Sequence, residues 1–235
     1  MEDEKGRLEN IAKHSLYAEG VNVHTIRYSG TIFERHIKTG PILELGPAEG
    51  VMTEYLASRY NDLTAVEGSV VFCESLRRKL PQVKVIHSLF EEYSPDRSYE
   101  SVILGHVLEH VVDPVDILKS VRQWIAPSGR VCAAVPNAHS LHRQAAVLMG
   151  LLRQEDELND LDRHHGHRRV YNSASFMADF LSAGFSIEVF GGYWIKPLAN
   201  SQIEKTWTKD MIDAFMALGE RYPDIAAELY VVARK

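Results

Sequence analysis

Apolar residues along this chain fall into short continuous runs, separated by stretches in which they recur every three or four positions. That is the pattern of buried strands alternating with amphipathic helices. The runs at 41–45, 63–66, 83–86, 101–104 and 130–135 read as strands, with two more at 186–190 and 228–233. Between them, Met52, Leu56 and Tyr60 share one helical face, and Ile117, Leu118, Val121, Trp124 and Ile125 share another. Helix ends are signalled too. Ser69 is placed to cap a helix running to 80, Asp113 with Pro114 forms a cap and first-turn pair, and Gly184 closes a helix over 173–183. Further helices are expected at 138–152 and about 209–218, with a polar stretch at 154–166 between elements. Strands and helices in this order predict an α/β fold, a doubly wound and mostly parallel seven-stranded sheet.

The turn that leaves the first strand carries the most chemistry. It reads Ile42-Leu43-Glu44-Leu45-Gly46-Pro47-Ala48-Glu49-Gly50, in the strand-to-helix position where open α/β sheets bind nucleotide-like ligands. A dinucleotide pyrophosphate needs closely spaced glycines and free backbone N–H groups facing an anion. Here Ala48 stands between the glycines, Pro47 removes a donor, and Glu44 would repel phosphate. A ligand with an ammonium and a sulfonium is drawn to that acid instead, and the glycines let it approach the backbone. S-adenosylmethionine is such a ligand. The next strand ends in Glu67-Gly68-Ser69, about twenty residues on, where a carboxylate can accept hydrogen bonds from both ribose hydroxyls. The alternative is a solvated Glu67 in front of the helix cap.

Two further segments complete a pattern. His87-Ser88-Leu89-Phe90 follows the third strand, and Gly105-His106-Val107-Leu108-Glu109-His110-Val111-Val112-Asp113-Pro114 follows the fourth. Together with 44–50 and Glu67, in order and spacing, they make residues 40–190 resemble the class I S-adenosylmethionine-dependent methyltransferases, in the small single-domain branch. The resemblance implies a Rossmann-like methyltransferase fold whose terminal pair of strands includes an antiparallel one. It implies that Glu44, Gly46, Ala48 and Gly50 surround the methionine part of the cofactor, and that Glu67, beside Gly68, holds the ribose. Ser88, the backbone of Leu89 and the ring of Phe90 would form the adenine slot, with Ser88 replacing a common acid. Gly105 would offer its carbonyl to the cofactor ammonium, next to His106. In such enzymes residues like 1–40 fold over the cofactor as a lid; a helix packed on the sheet edge is the alternative.

Composition narrows the remaining choices. A chain of 235 residues suits one domain, 1–235, with 1–40 as the lid segment and 138–172 as an acceptor-side insertion. A net charge of -6 argues against nucleic acid as a partner, with the basic cluster from Arg163 to Arg169 as the local exception. Cys73 and Cys132 have no metal-like spacing and read as reduced core thiols. The apolar run 145–152 is too short to span a bilayer, so no membrane association and a cytoplasmic location are expected. That run reads as a core helix, with an acceptor-cavity wall or a homodimer contact as alternatives.

The chemistry implied is displacement at a methyl carbon, leaving S-adenosylhomocysteine. The protein has to align an acceptor lone pair and exclude water, and a base is needed only where the acceptor loses a proton. His110, little more than a helical turn beyond Gly105, is the first candidate, against a role in capping or packing the next helix. His167, followed by Tyr171, is the second, as a pocket-lining histidine. His164, His165 and His167 with Asp160 and Asp162 match no standard zinc spacing and read as a polar loop, so no metal is expected. The expected reaction is methyl transfer to an oxygen or nitrogen of a small-molecule metabolite. A non-catalytic cofactor-binding or scaffolding domain is the alternative; it would show a damaged loop, whereas Glu44, Gly46, Gly50 and Glu67 are intact.

Overall fold

A computed structural model describes residues 4–235. In chain order the elements are helices α1 (Glu4–Lys13) and α2 (Gly20–Glu34), strand β1 (Ile42–Leu45), α3 (Val51–Ala57), β2 (Leu63–Glu67), α4 (Val70–Lys79), β3 (Lys84–His87) and β4 (Tyr99–Gly105). Then come α5 (Pro114–Trp124), β5 (Ile125–Pro136), α6 (Leu141–Leu148), α7 (Asp160–His164), α8 (Ser173–Ser182), β6 (Ser186–Tyr193), α9 (Asn200–Thr206), α10 (Lys209–Gly219) and β7 (Glu228–Arg234).

The strands form one seven-stranded sheet in the order β3-β2-β1-β4-β5-β7-β6. β1 to β5 run parallel, and β7 is antiparallel to both of its neighbours. The period of two along each strand sorts side chains onto two cores. Leu43 and Leu45, Val102 and Leu104, Val131, Ala133 and Val135 pack under α5 and α8. Ile42, Ala65, Ile103, Cys132 and Ala134 pack against α2, α3 and α10. The strand order reverses between β1 and β4, so the loops after those two strands open at a switch point, the place where such sheets bind ligands.

Caps follow their sequence signals. Ser69 accepts from Phe72 N, Asp113 accepts from Asp116 N, and Gly184 takes φ 85° beyond α8. Elsewhere the structure departs from the pattern. Ile125, expected on the helix, begins β5, because the helix stops at Trp124 and the strand is already extended there. The polar stretch 154–166 is not an open loop: Asn159 and Asp162 form a reciprocal capping box that starts α7. α9 was not signalled by any apolar period; only its Ile203 is buried. Residues 145–152 are not a core helix, since Leu148, Met149 and Leu151 are 89%, 71% and 69% exposed. The same exposure removes them from any cavity wall. Of the two readings of 1–40, the packed helix describes α2, which buries Val21, Ile32 and Phe33 against the sheet; α1 buries none of its residues. No helix among the described residues is long and apolar enough to cross a membrane.

Candidate active site

The loop after β1 is built on left-handed backbone. Gly46 has φ 64° and Gly50, the residue capping α3, has φ 90°. A Cβ on Gly50 would lie 2.4 Å from Leu76 Cδ2, and one on Gly46 would lie 3.1 Å from Val107 Cγ2, so both positions exclude larger side chains. Ala48 also has positive φ, at 47°. Its strain is offset by Glu67, which reaches across from the end of β2. Ala48 N donates to Glu67 Oε2 at 3.1 Å and Ser69 N donates to Oε1 at 2.8 Å. Glu67 is therefore not a solvated residue; it is 6% exposed and ties two loops together. Burial raises its pKa, against the lowering effect of those N–H donors. Each of its oxygens still has a lone pair for a ligand hydroxyl.

Glu44 points into the same space from the face of β1 that carries Ile42. It is 2% exposed, and its Oε2 has no hydrogen-bond partner. Burial, reinforced by the nearby Glu67 charge, pushes its pKa up to about 8. A buried carboxylate whose second oxygen has no partner takes up a proton or a cationic ligand group, so this environment fits an ammonium and rejects phosphate.

Three adjoining cavities meet here. One is lined by Glu67, Gly68, Ser88, Leu89 and Phe90, and α1 forms its far wall through Arg7, Leu8 and Ile11. A Cβ on Gly68 would lie 2.5 Å from Leu8 Cδ1, so α1 sits directly on that turn. Ser88 donates its hydroxyl to Leu89 O at 2.8 Å, which leaves only its lone pairs for an incoming amine. A second, smaller cavity is lined by Glu44, Gly46, Ala48, Gly50 and Gly105. The third lies toward the insertion, between Asn137, His142, Arg143, Asp162, His167, Lys196 and Glu228. Arg143, Asp162, Asn137 and Glu228 are buried, so charged and polar groups form the floor of this last space.

Tyr17 and His106 line all three cavities. His106 has φ 60°, and its Nε2 lies 3.0 Å from Glu228 Oε2. Ala48, His106 and Trp194 are the non-glycine residues with positive φ among the described residues, and each lines one of these cavities. Backbone strain concentrated there marks a functional site. Tyr17 OH meets His110 Nε2 at 3.0 Å, while the Gly166 carbonyl holds the other side of the imidazole. Burial lowers the pKa of His110, and the neighbouring His167 lowers it further. The His167 ring stands edge-on to His110 at 4.8 Å, with its Nδ1 3.3 Å from Asp162 Oδ1. Burial works against the Asp162 charge, but His167, Asn159 and Arg143 outweigh it and hold the pKa at about 2.

All thirteen residues singled out from sequence thus fall at or beside this junction, with exceptions around them. Tyr171 does not line a pocket; it is 2% exposed in the core and donates to Asp179 at 2.7 Å. The grouping of His164, His165 and His167 with Asp160 and Asp162 does not assemble, because His164 and Asp160 are exposed and His164 bonds His14 O. The basic cluster is largely spent on the backbone: Arg169 donates to Leu108 O, Val111 O and Val112 O, and Arg168 to His110 O. Tyr17, Lys196 and Glu228 were not anticipated. Tyr17 lies in the polar segment 1–40 with no spacing that marks it, and Glu228 meets His106 only through the antiparallel return of β7.

A profile described as a methyltransferase domain matches residues 23–188. An (S)-coclaurine N-methyltransferase of Thalictrum flavum subsp. glaucum is 29% identical over 101 residues, covering 40% of this chain and 28% of that protein. The chain thus matches less than a third of that relative's length. A ubiquinone biosynthesis O-methyltransferase of Aeromonas salmonicida (strain A449) is 24% identical over 181 residues, 73% of this chain and 71% of the relative. Among solved structures, a SAM-dependent methyltransferase of Thermotoga maritima, described as a possible histamine N-methyltransferase, superposes with a TM-score of 0.68 at 16% identity. It covers 97% of this chain and 99% of its own, and shares the fold.

Proposed function

Because the chain belongs to the methyltransferase-domain family, we propose that it transfers a methyl group from S-adenosylmethionine to an oxygen or nitrogen of a small polar metabolite. The observation that carries this reading is the meeting of three cavities at Tyr17 and His106. A donor and an acceptor whose reacting atoms must approach to about 3–3.5 Å need adjoining spaces of this kind.

The cofactor, when bound, supplies a methyl group made electrophilic by its sulfonium. On this reading Glu44 and the Gly105 carbonyl receive its ammonium, and Gly46, Ala48 and Gly50 leave room for its backbone-hugging chain. Glu67 with Gly68 holds the ribose, and Ser88, Leu89 and Phe90 face the adenine. The orphaned Glu44 Oε2 supports this directly, since it gains the partner it lacks. His106 shapes the junction between the cavities, held by Glu228.

The acceptor space is bordered by α2, residues 137–167 and the segment around Trp194, and its size suits a small molecule better than a polymer. Its lining is polar. Lys196 Nζ makes no hydrogen bond to any described residue, and burial lowers its pKa, so an acceptor bearing an acid or several hydroxyls fits this wall. His167, which lines this space, and His110, which lines the cofactor-side cavity and faces Tyr17 through its Nε2, are the histidines placed to act on the acceptor's proton, directly or through a group they hold. The direct test is incubation with methyl-labelled S-adenosylmethionine and a panel of small hydroxy acids, phenols and amines. Label should move to at least one panel class and to neither RNA nor protein; transfer to a polymer alone would overturn the small-molecule assignment.

A further inference from the structure

Glu109 has no assigned task in that scheme, and its surroundings are unusual. Its carboxylate is fully buried, and neither oxygen has a hydrogen-bond partner. A charge placed so is costly unless a cation or a proton meets it. Beside it stand His110 and His167, and one donor atom from each of the three residues lies within 4.8 Å of the others. His110 Nε2 is 3.9 Å from Glu109 Oε1.

Each imidazole has an oxygen behind it, a hydrogen-bonded carbonyl for His110 and, for His167, a carboxylate at ion-pair distance. The Gly166 carbonyl holds one nitrogen of His110, and Asp162 Oδ1 faces His167 Nδ1 at 3.3 Å. Asp162 is in turn fixed by Arg143 at 3.1 Å and by Asn159 N at 2.9 Å. A ring nitrogen backed by a carbonyl or a carboxylate is how proteins hold metal-ligating histidines. Tyr17 does not block the position. Its hydroxyl has a second acceptor in His165 O at 3.4 Å, so it can release His110 Nε2.

We infer that Glu109, His110 and His167 bind a divalent transition-metal ion in the wall between the cofactor and acceptor cavities, where it holds an oxygen of the methyl acceptor. Metal–ligand bonds of about 2.1 Å at the tetrahedral angle put two ligands of one ion about 3.4 Å apart, so the donor atoms, now within 4.8 Å of one another, close by about an ångström through side-chain rotation when the ion binds. Two imidazoles and one carboxylate suit Zn²⁺, Co²⁺ or Mn²⁺ and are a poor set for Mg²⁺ or Ca²⁺, which prefer oxygen alone. Three protein ligands leave positions open. A hydroxyl oxygen bound there loses its proton to water more readily, which readies it as a methyl acceptor. The inference rests on the proposed function for that acceptor, and it makes His110 a metal ligand rather than the direct base.

The test uses tag-free, chelator-treated full-length protein titrated with Co²⁺ and followed by its visible absorption, with Zn²⁺ as competitor. One saturable site per chain is expected. Glu109→Gln and His167→Ala should each weaken it a hundredfold or more, Asp162→Asn about 10- to 100-fold, and the exposed His164→Asn not at all. S-adenosylhomocysteine affinity, measured on every variant, reports whether the fold and the cofactor site survive. Absence of a saturable Co²⁺ site in the wild type, or unchanged affinity in both Glu109→Gln and His167→Ala, overturns the metal site while leaving the methyltransferase reading intact. Loss of S-adenosylhomocysteine binding with Co²⁺ binding retained would strike the proposed function instead.

Discussion

Glu44 takes a carboxylate into the sheet's ligand-binding end, where the described residues offer no counter-charge, and this has a measurable consequence. Its folded pKa of about 8 lies above the ordinary carboxylate value of 4.5, so the folded chain without ligand holds a proton that the unfolded chain releases. The stability linked to that proton is complete below pH 4.5 and is lost as pH rises to about 8, on the order of 1.4 kcal/mol per pH unit at most. Thermal unfolding of wild type and Glu44→Gln at pH 5 and pH 8 checks this. The difference should move in favour of Gln at the higher pH; a pH-independent difference would show that Glu44 stays ionised. Replacing His110 by Ala should lower turnover about a hundredfold or more and leave S-adenosylhomocysteine affinity within a few-fold of wild type, by initial rates and titration. At this scale the legible residues are those fixed by short-range chemistry: an acid at a strand end and glycines in the turn after it. Tyr17 and Glu228 were hidden because their partners His110 and His106 lie 93 and 122 positions away, and only the folded chain closes those separations.

Among the elements, α1 is tied across the cavity lined by Glu67 and Gly68, and on the proposed function it is the lid of the cofactor site. Glu9 accepts from Ser69 Oγ at 3.0 Å and from Val70 N at 2.6 Å, so the lid supplies an acid to the start of α4, where the helix dipole favours it. Arg7 donates to Gly166 O, and Arg168 pairs with Glu4 at 2.7 Å. The exposed pair of Lys5 and Glu92 adds little. Glu9→Ala removes a capping interaction worth about 1 kcal/mol, and it should speed release of S-adenosylhomocysteine about five-fold in stopped-flow displacement. An unchanged release rate would mean that the lid does not govern exchange. The strands were legible because their apolar runs are short and bounded, and α5 and α8 because caps and period agree. α7 was not, because its start depends on the side chains of Asn159 and Asp162 bonding each other's backbone, a polar signal inside a polar stretch. The exposed end of α6 misled for the opposite reason: Leu148, Met149 and Leu151 are apolar in composition and face outward.

Across the whole molecule, the sheet order does the assembling. Parallel pairing of β1 with β2 and β4 brings the loops carrying Glu44, Glu67 and Gly105 to one end of the sheet. The antiparallel β7 then places Glu228 opposite Pro136, at the same end, where it meets His106. Sequence order announced the first of these arrangements and said nothing of the second. Glu67 shows why fold and site cannot be separated cleanly, since it bonds Ala48 N and Ser69 N as well as facing the cavity. Glu67→Ala should therefore lower the melting temperature as well as cofactor affinity, while Glu67→Gln, which keeps an acceptor, should cost less of both. Equal losses in the two variants would show that the carboxylate charge, and not its hydrogen bonding, holds the loops. The central claim is that this end of the sheet binds the methyl donor through Glu44. Isothermal titration of S-adenosylhomocysteine into the wild type and Glu44→Gln tests it most directly. One saturable site is expected, weakened about 10- to 100-fold in the variant, as loss of a charged hydrogen bond requires; no binding to the wild type, or equal affinity in both, would contradict it.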